Sequence, residues 1–261
     1  MTEQKRMYIV ANWKLNPASL SDAKTLLSGT KEVAKKAKGV TAIVCPPSLF
    51  ISPLRELYRK STTFFIGAQN MYAEDTGAFT GEISIPMLKS VSVNHVIIGH
   101  SERRGMGETD EDVAKKVSRA VNAGFTVILC IGEWERDEQG SYLGVVEQQI
   151  KTALSKVTYT GLSQVLLAYE PVWAIGKGSG SALDAHGVHQ MVLYIRKVLK
   201  DMYKKNSVLS TPVLYGGSVD AENAEALMRE GEVSGLLVGG KSLSVKSFGD
   251  ILLAASKVTT S

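Results

Sequence analysis

The chain has 261 residues, 44% hydrophobic and 21% charged, with a mean hydropathy of +0.01. That is globular composition, and it excludes a disordered, collagenous or membrane-spanning chain. Thirty Lys and Arg against 26 Asp and Glu leave a charge of +4, which is too small and too scattered for a nucleic-acid partner but suits a small anion. At about 150 residues per domain the length allows one or two domains, and α/β barrels fill about 250 residues with one. Cys45 and Cys130 lie in apolar runs and read as buried thiols rather than a disulfide. Met1–Arg6 is polar without an apolar h-region, and no apolar run reaches about 18 residues. The expected setting is therefore soluble, reducing and cytoplasmic, away from membranes.

In chain order, apolar β-branched runs recur at Met7–Ala11, Val40–Cys45, Phe64–Ala68, His95–Ile98, Phe125–Ile131, Gln164–Tyr169, Pro212–Tyr215 and Leu236–Val238. Each has the length of a buried strand. Helical spacing fills the intervals. Leu20, Ala23, Leu26 and Leu27 share one face; so do Val113, Val117, Ala120 and Val121, and Val188, Met191, Val192 and Ile195. Caps are read at Ser19 or Ser21, Ser48, Thr109, Asp184, and Asp220 with Glu222. Strictly alternating strands and helices predict a parallel sheet. Eight repeats without a Pro/Gly-rich linker predict a (β/α)8 barrel spanning 1–261 as a single domain. An open doubly wound sheet is the alternative.

Chemistry in such a barrel collects where strands end. Asn12-Trp13-Lys14 follows the first strand, and Gly99-His100-Ser101-Glu102 the fourth. Tyr169-Glu170-Pro171 follows the sixth, Gly216-Gly217-Ser218 the seventh and Gly239-Gly240-Lys241 the eighth. Singly, each has a plain reading. Lys14 could be a surface lysine and His100 a satisfied core group. Glu170 ends an apolar strand, where a carboxylate is costly unless paired, so it is a working base or half of a structural ion pair. Gly-rich turns at Gly176–Gly180, Gly216-Gly217 and Gly239-Gly240 let backbone amides approach an anion, and two at adjacent strand ends favour phosphate. The histidines and cysteines lack metal-ligand spacing, and neither a Walker loop nor a GxGxxG after the first strand is present. A base, a histidine, a fixed cation and a phosphate cradle suit proton abstraction beside a carbonyl in a small phosphorylated sugar. No metal or cofactor is expected, because the same proton can return to the neighbouring carbon.

The motifs Asn12-Trp13-Lys14, His100-Ser101-Glu102-Arg103-Arg104, Ala168–Gly176, Tyr215-Gly216-Gly217-Ser218-Val219 and Leu237-Val238-Gly239-Gly240 resemble the triosephosphate isomerase family. They run in that family's order from about Tyr8 to Leu253. The resemblance implies a TIM barrel and the interconversion of dihydroxyacetone phosphate and D-glyceraldehyde 3-phosphate through an enediolate. It implies Glu170 as base, His100 as neutral electrophile, Lys14 as fixed cation and Asn12 as the residue that orders the Lys14 side. Gly176, Ser218, Gly239 and Gly240 would hold the phosphate. Ser101 and Cys130 would support the site, with Glu102 as an ion-pair partner beside it. It also implies a homodimer through the loop Gln69–Ile83, with Thr80 and Glu82 as cross-subunit props.

Four departures stand out. The lid reads Gly176-Lys177-Gly178-Ser179-Gly180-Ser181-Ala182, about two residues longer than usual. Gly105-Met106-Gly107-Glu108 is shorter than usual and without aromatics. Ser234 replaces an aspartate, removing a possible partner for Arg196. Lys241 replaces a small residue at the start of the phosphate-binding helix, where bound phosphate would offset its charge; its plain reading is a lysine reaching to solvent. Two alternatives remain at this point: an isomerase of a four-carbon sugar phosphate, and a catalytically silent barrel that binds phosphorylated ligands.

Overall fold

The structure, a computed structural model, describes residues 6–58, 61–176 and 183–260. Among these residues eight strands are described: β1 (Met7–Asn12), β2 (Val40–Cys45), β3 (Phe64–Ile66), β4 (His95–Ile98), β5 (Thr126–Ile131), β6 (Val165–Tyr169), β7 (Val213–Tyr215) and β8 (Gly235–Val238). They pair in parallel in the order β3-β2-β1-β8-β7-β6-β5-β4. The ring closes between β3 and β4 at one residue. Ala68 bridges Val96, its amide donating to the His95 carbonyl at 2.8 Å while its own carbonyl accepts from the Ile97 amide at 2.9 Å. This is a (β/α)8 TIM barrel, and the open-sheet alternative is excluded by the closure. The third strand, expected to run to Ala68, stops at Ile66. Gly67 follows at a point where a Cβ would sit 2.8 Å from the Cys45 Sγ.

Nine α-helices are described: α1 (Leu20–Ala34), α2 (Ser48–Glu56), α3 (Ile85–Ser90), α4 (Ser101–Gly105), α5 (Asp110–Asn122), α6 (Ser141–Ala153), α7 (Ala185–Tyr203), α8 (Ala224–Arg229) and α9 (Val245–Thr260). Ser19 caps α1, and Asp184 caps α7 by accepting from the Gly187 amide. Thr109 and Asp112 form a reciprocal capping box on α5. Two expected caps fall elsewhere. Ser48 is already the first helical residue of α2, behind Pro47. The Asp220 carboxylate accepts from the Glu222 and Asn223 amides and so builds the turn before α8 rather than capping it.

The strands are apolar on both faces because each face has its own cover. Outward residues pack against the helices in a core whose largest fully buried side chains include Trp13 after β1, Phe125 before β5 and Phe248 on α9. Inward residues fill the barrel with a second core that includes Val10, Ile43, Ile97, Leu166 and Leu237. Cys45 and Cys130 belong to this inner core as free thiols, and burial pushes the Cys45 thiol far up. Arg196, expected to lose a partner at Ser234, finds another. Its Nη1 lies 3.5 Å from the Glu232 carboxylate, which the chain presents through a left-handed backbone at Glu232, φ +52°. Among the described residues no helix is long and apolar enough to cross a membrane.

Polar side chains also face inward, His95 among them. His95 sits two residues before Ile97 on β4, its ring 4.5 Å from that of Phe65. Its Nδ1 is buried without a hydrogen-bond partner among the described residues. Burial lowers its pKa from 6.5 to about 4. The unfolded chain therefore binds this proton more readily than the folded one. The stability His95 supplies is complete above pH 6.5 and is lost as pH falls toward 4, by up to about 3 kcal/mol. We predict that urea unfolding of His95→Gln loses less stability between pH 6.5 and 4.5 than the parent does. Parallel pH profiles would refute this.

Candidate active site

The ends of β1, β4, β6, β7 and β8 converge on a cavity of about 370 Å³. Asn12, Lys14, His100, Glu170, Gly176, Ser218, Gly239 and Gly240 all line it. The eight residues expected to form the site are thus brought to one place.

On the β1 side, buried Asn12 accepts the Lys14 amide on its Oδ1 at 3.0 Å. That bond helps hold Lys14 at φ +52°, a conformation that costs a non-glycine residue energy. Gln69 fastens the turn from the other side, its Nε2 donating to the carbonyls of Lys14 and Cys45, each at 2.9 Å. The Lys14 ammonium lies 2.7 Å from the Glu102 carboxylate, which agrees with Glu102 as an ion-pair partner. Bare Gly239 leaves room for it, since a Cβ there would sit 3.2 Å from Lys14 Cε.

His100 ends the loop after β4 and caps α4. Its Nδ1 accepts from the Glu102 amide at 3.2 Å. A backbone amide only donates, so Nδ1 carries the lone pair and the proton of the neutral ring is on Nε2. Nε2 faces the Glu170 Oε1 at 3.2 Å. The other carboxylate oxygen, Oε2, accepts from the Ser101 amide at 3.0 Å. Glu170 is 2% exposed and His100 6%. A buried carboxylate would be costly without such donors.

Two glycines cut the space for Glu170. A Cβ on Gly132 would sit 1.8 Å from the Glu170 carbonyl oxygen, and one on Gly216 would sit 2.9 Å from Glu170 Cγ. Gly216 was expected as part of a phosphate turn; its steric reason is the base beside it. Cys130 also lies close. Its thiol is pushed well up, first by burial and then by the Glu170 charge, which disfavours the thiolate.

The phosphate side differs from expectation in two ways. The Ser218 hydroxyl already donates to the Ala174 carbonyl at 2.7 Å, so its proton is committed. The helix expected directly after β8 is only a four-residue 3-10 turn, Gly240–Leu243, ahead of α9. That is too short for a dipole argument about Lys241. The lid segment Lys177–Ala182 lies outside the described residues.

Two buried polar networks were not foreseen. Glu133 accepts on one oxygen from Arg136 Nε at 2.9 Å, Tyr169 Oη at 2.8 Å and Trp173 Nε1 at 2.9 Å. It ties the end of β5 to the start of the segment that leads into the lid. Buried Lys116 on α5 bonds Asn70 Oδ1 at 3.1 Å and pairs with Glu108, anchoring the start of the Gln69–Ile83 loop. The sequence signal for the first was a glutamate and a tryptophan beside strand ends; only folding joins them. Among the described residues no cluster of His, Cys, Asp and Glu could hold a metal ion.

Comparison with known proteins follows this geometry. The family model described as triosephosphate isomerase matches residues 7–255. A protein of Dehalococcoides mccartyi named triosephosphate isomerase is 41% identical over 97% of this chain and 99% of its own. One of Natranaerobius thermophilus with that name is 42% identical over 97% of each chain. One of Chlamydia muridarum, also so named, is 41% identical over 95% of this chain and 90% of its own.

The Gly132 contact yields a prediction. Gly132→Ala forces its methyl onto the Glu170 carbonyl oxygen, so one strand end must move. Overpacking of this kind costs about 1–3 kcal/mol. Urea unfolding should show that loss, and a variant as stable as the parent would disprove the contact.

Proposed function

The chain belongs to the triosephosphate isomerase family, and on that premise we propose how Glu170, His100 and Lys14 divide its reaction. The enzyme is an isomerase that interconverts dihydroxyacetone phosphate and D-glyceraldehyde 3-phosphate. The four-carbon and silent-barrel alternatives gain no support from the relatives.

Glu170 takes the proton from the carbon beside the substrate carbonyl. The electron pair of that C–H bond forms the C=C bond of the enediolate, and the carbonyl pair moves onto oxygen. His100 donates its Nε2–H to that oxygen, and the Lys14 ammonium stabilises the charge. Glu170 then returns the proton to the neighbouring carbon while His100 moves a proton between the two oxygens. The chemistry so written needs no cofactor. Asn12 keeps Lys14 in place, and Gly176, Ser218, Gly239 and Gly240 surround the phosphate. The observation that carries this is the neutral His100: its Nδ1 is occupied by the Glu102 amide and its Nε2 points at Glu170. Substrate oxygens can take over that Nε2–H, which releases Glu170 to face carbon.

The same reading treats 1–261 as one domain in the cytoplasm and makes the active unit a homodimer. Its support is the exposed apolar surface beside the loop Gln69–Ile83. Leu15 is 94% exposed and Met106 74%, both lining a cavity of about 850 Å³ that adjoins Lys14 and His100. Phe79, near the loop tip, rests on Tyr72.

A coupled assay with three-carbon and four-carbon phosphates tests the assignment. Glu170→Gln should lower kcat on the triose by about 10²–10⁴ with a smaller change in KM. If the parent converts the triose no faster than this variant, the assignment of Glu170 fails. If it prefers the four-carbon substrate, the substrate reading fails.

A further inference from the structure

We propose that Lys241 is a second phosphate-binding cation, set against the carboxylate of Asp220 on the rim of the same cavity. This rests on the phosphate being bound where the proposed function places it.

Among the ionised side chains that line the cavity are Lys14, Lys241, Glu170 and Asp220. Their formal charges cancel. Without Lys241 the sum over these described side chains is negative, and a phosphate dianion would enter against it. Lys14 is a poor remedy by itself, because its ammonium is already 2.7 Å from Glu102. The neutral His100 adds no charge. Among the described residues the phosphate side otherwise offers glycines, the apolar Ile175, Val219 and Leu237, and Ser218, whose hydroxyl proton is held by Ala174.

Asp220 sharpens the need. Its Oδ1 accepts from the amides of Glu222 and Asn223, so its carboxylate is held in the turn after Val219 and cannot swing freely away. No cation pairs with it among the described residues. Lys241 is exposed and likewise has no ion-pair partner among them. It is therefore available to an incoming anion without first breaking a contact. The Debye length at physiological salt is about 8 Å, so charges that line one cavity are only partly screened from a phosphate bound in it. Both rim charges thus act on one bound phosphate, and added salt weakens both.

The test reads binding of inorganic phosphate by calorimetry, at low and at high salt, together with KM for the triose. An exposed charge contact is worth up to about 1 kcal/mol, or about fivefold in affinity. Lys241→Ala should weaken phosphate binding by about that factor at low salt, with the difference shrinking at high salt. KM should rise in parallel. Lys241→Arg should restore binding, Asp220→Asn should tighten it, and the double variant Lys241→Ala with Asp220→Asn should return toward the parent. Equal phosphate affinity in the parent and Lys241→Ala at low salt overturns the proposal. So does a loss that is the same at both salt levels, which would mark lost packing rather than charge. Phosphate binding is read without turnover. A parent that binds phosphate but does not isomerise the triose would sink the functional reading and leave this test intact. A parent that binds no phosphate at all would overturn the role of Lys241.

Discussion

The rest of the site is arranged around one buried carboxylate. Glu170 sits at the end of β6, nearly sealed from solvent, where an ionised group with unmet hydrogen bonds would be expensive. It is met by one backbone amide, from Ser101, and one neutral imidazole, from His100. Neither donor carries a full positive charge. That choice keeps the carboxylate satisfied without locking it into an ion pair. Its oxygens can be released by breaking the Ser101 hydrogen bond and the 3.2 Å contact with His100.

The neighbouring elements follow from that constraint. His100 must offer Nε2–H, so Nδ1 must be occupied, and the first turn of α4 supplies the Glu102 amide for that purpose. The Glu102 side chain meanwhile holds Lys14. One short helix thus sets the tautomer of the histidine and the place of the cation together. The glycines at 132 and 216 are needed because two strand ends pass within contact distance of Glu170. Ala68 closes the ring between β3 and β4, without which β4 and its histidine would not be fixed against β1 and its lysine.

Legibility in the sequence varied with the kind of physics involved. Strands such as Val40–Cys45 and His95–Ile98 were readable to the residue because burial on both faces demands largely apolar runs. Thr109 was readable as a cap because a capping box is local. Glu170, His100 and Lys14 were readable because a polar residue at the end of an apolar run has a known position on a barrel. Ser48 and Asp220 were misread, since the same side-chain chemistry serves a cap, a first turn or a preceding loop. Arg196 was expected to lose one possible partner at Ser234, and Glu232 reaches it instead through a positive φ that nothing in the local composition announces.

The sequence by itself determined the alternation of strands and helices, hence the barrel, and the set of chemical groups delivered to its strand ends. These depend on periodicity and order along the chain. Only the tertiary structure decided which oxygen of Glu170 meets which donor, which ring nitrogen of His100 holds the proton, and that Ser218 spends its hydroxyl on Ala174. It alone joined Glu133 to Tyr169 and Trp173, and Lys116 to Asn70. Those partners lie tens of residues apart. A hydrogen bond is made or lost within a few tenths of an ångström, a precision that no one-dimensional pattern carries.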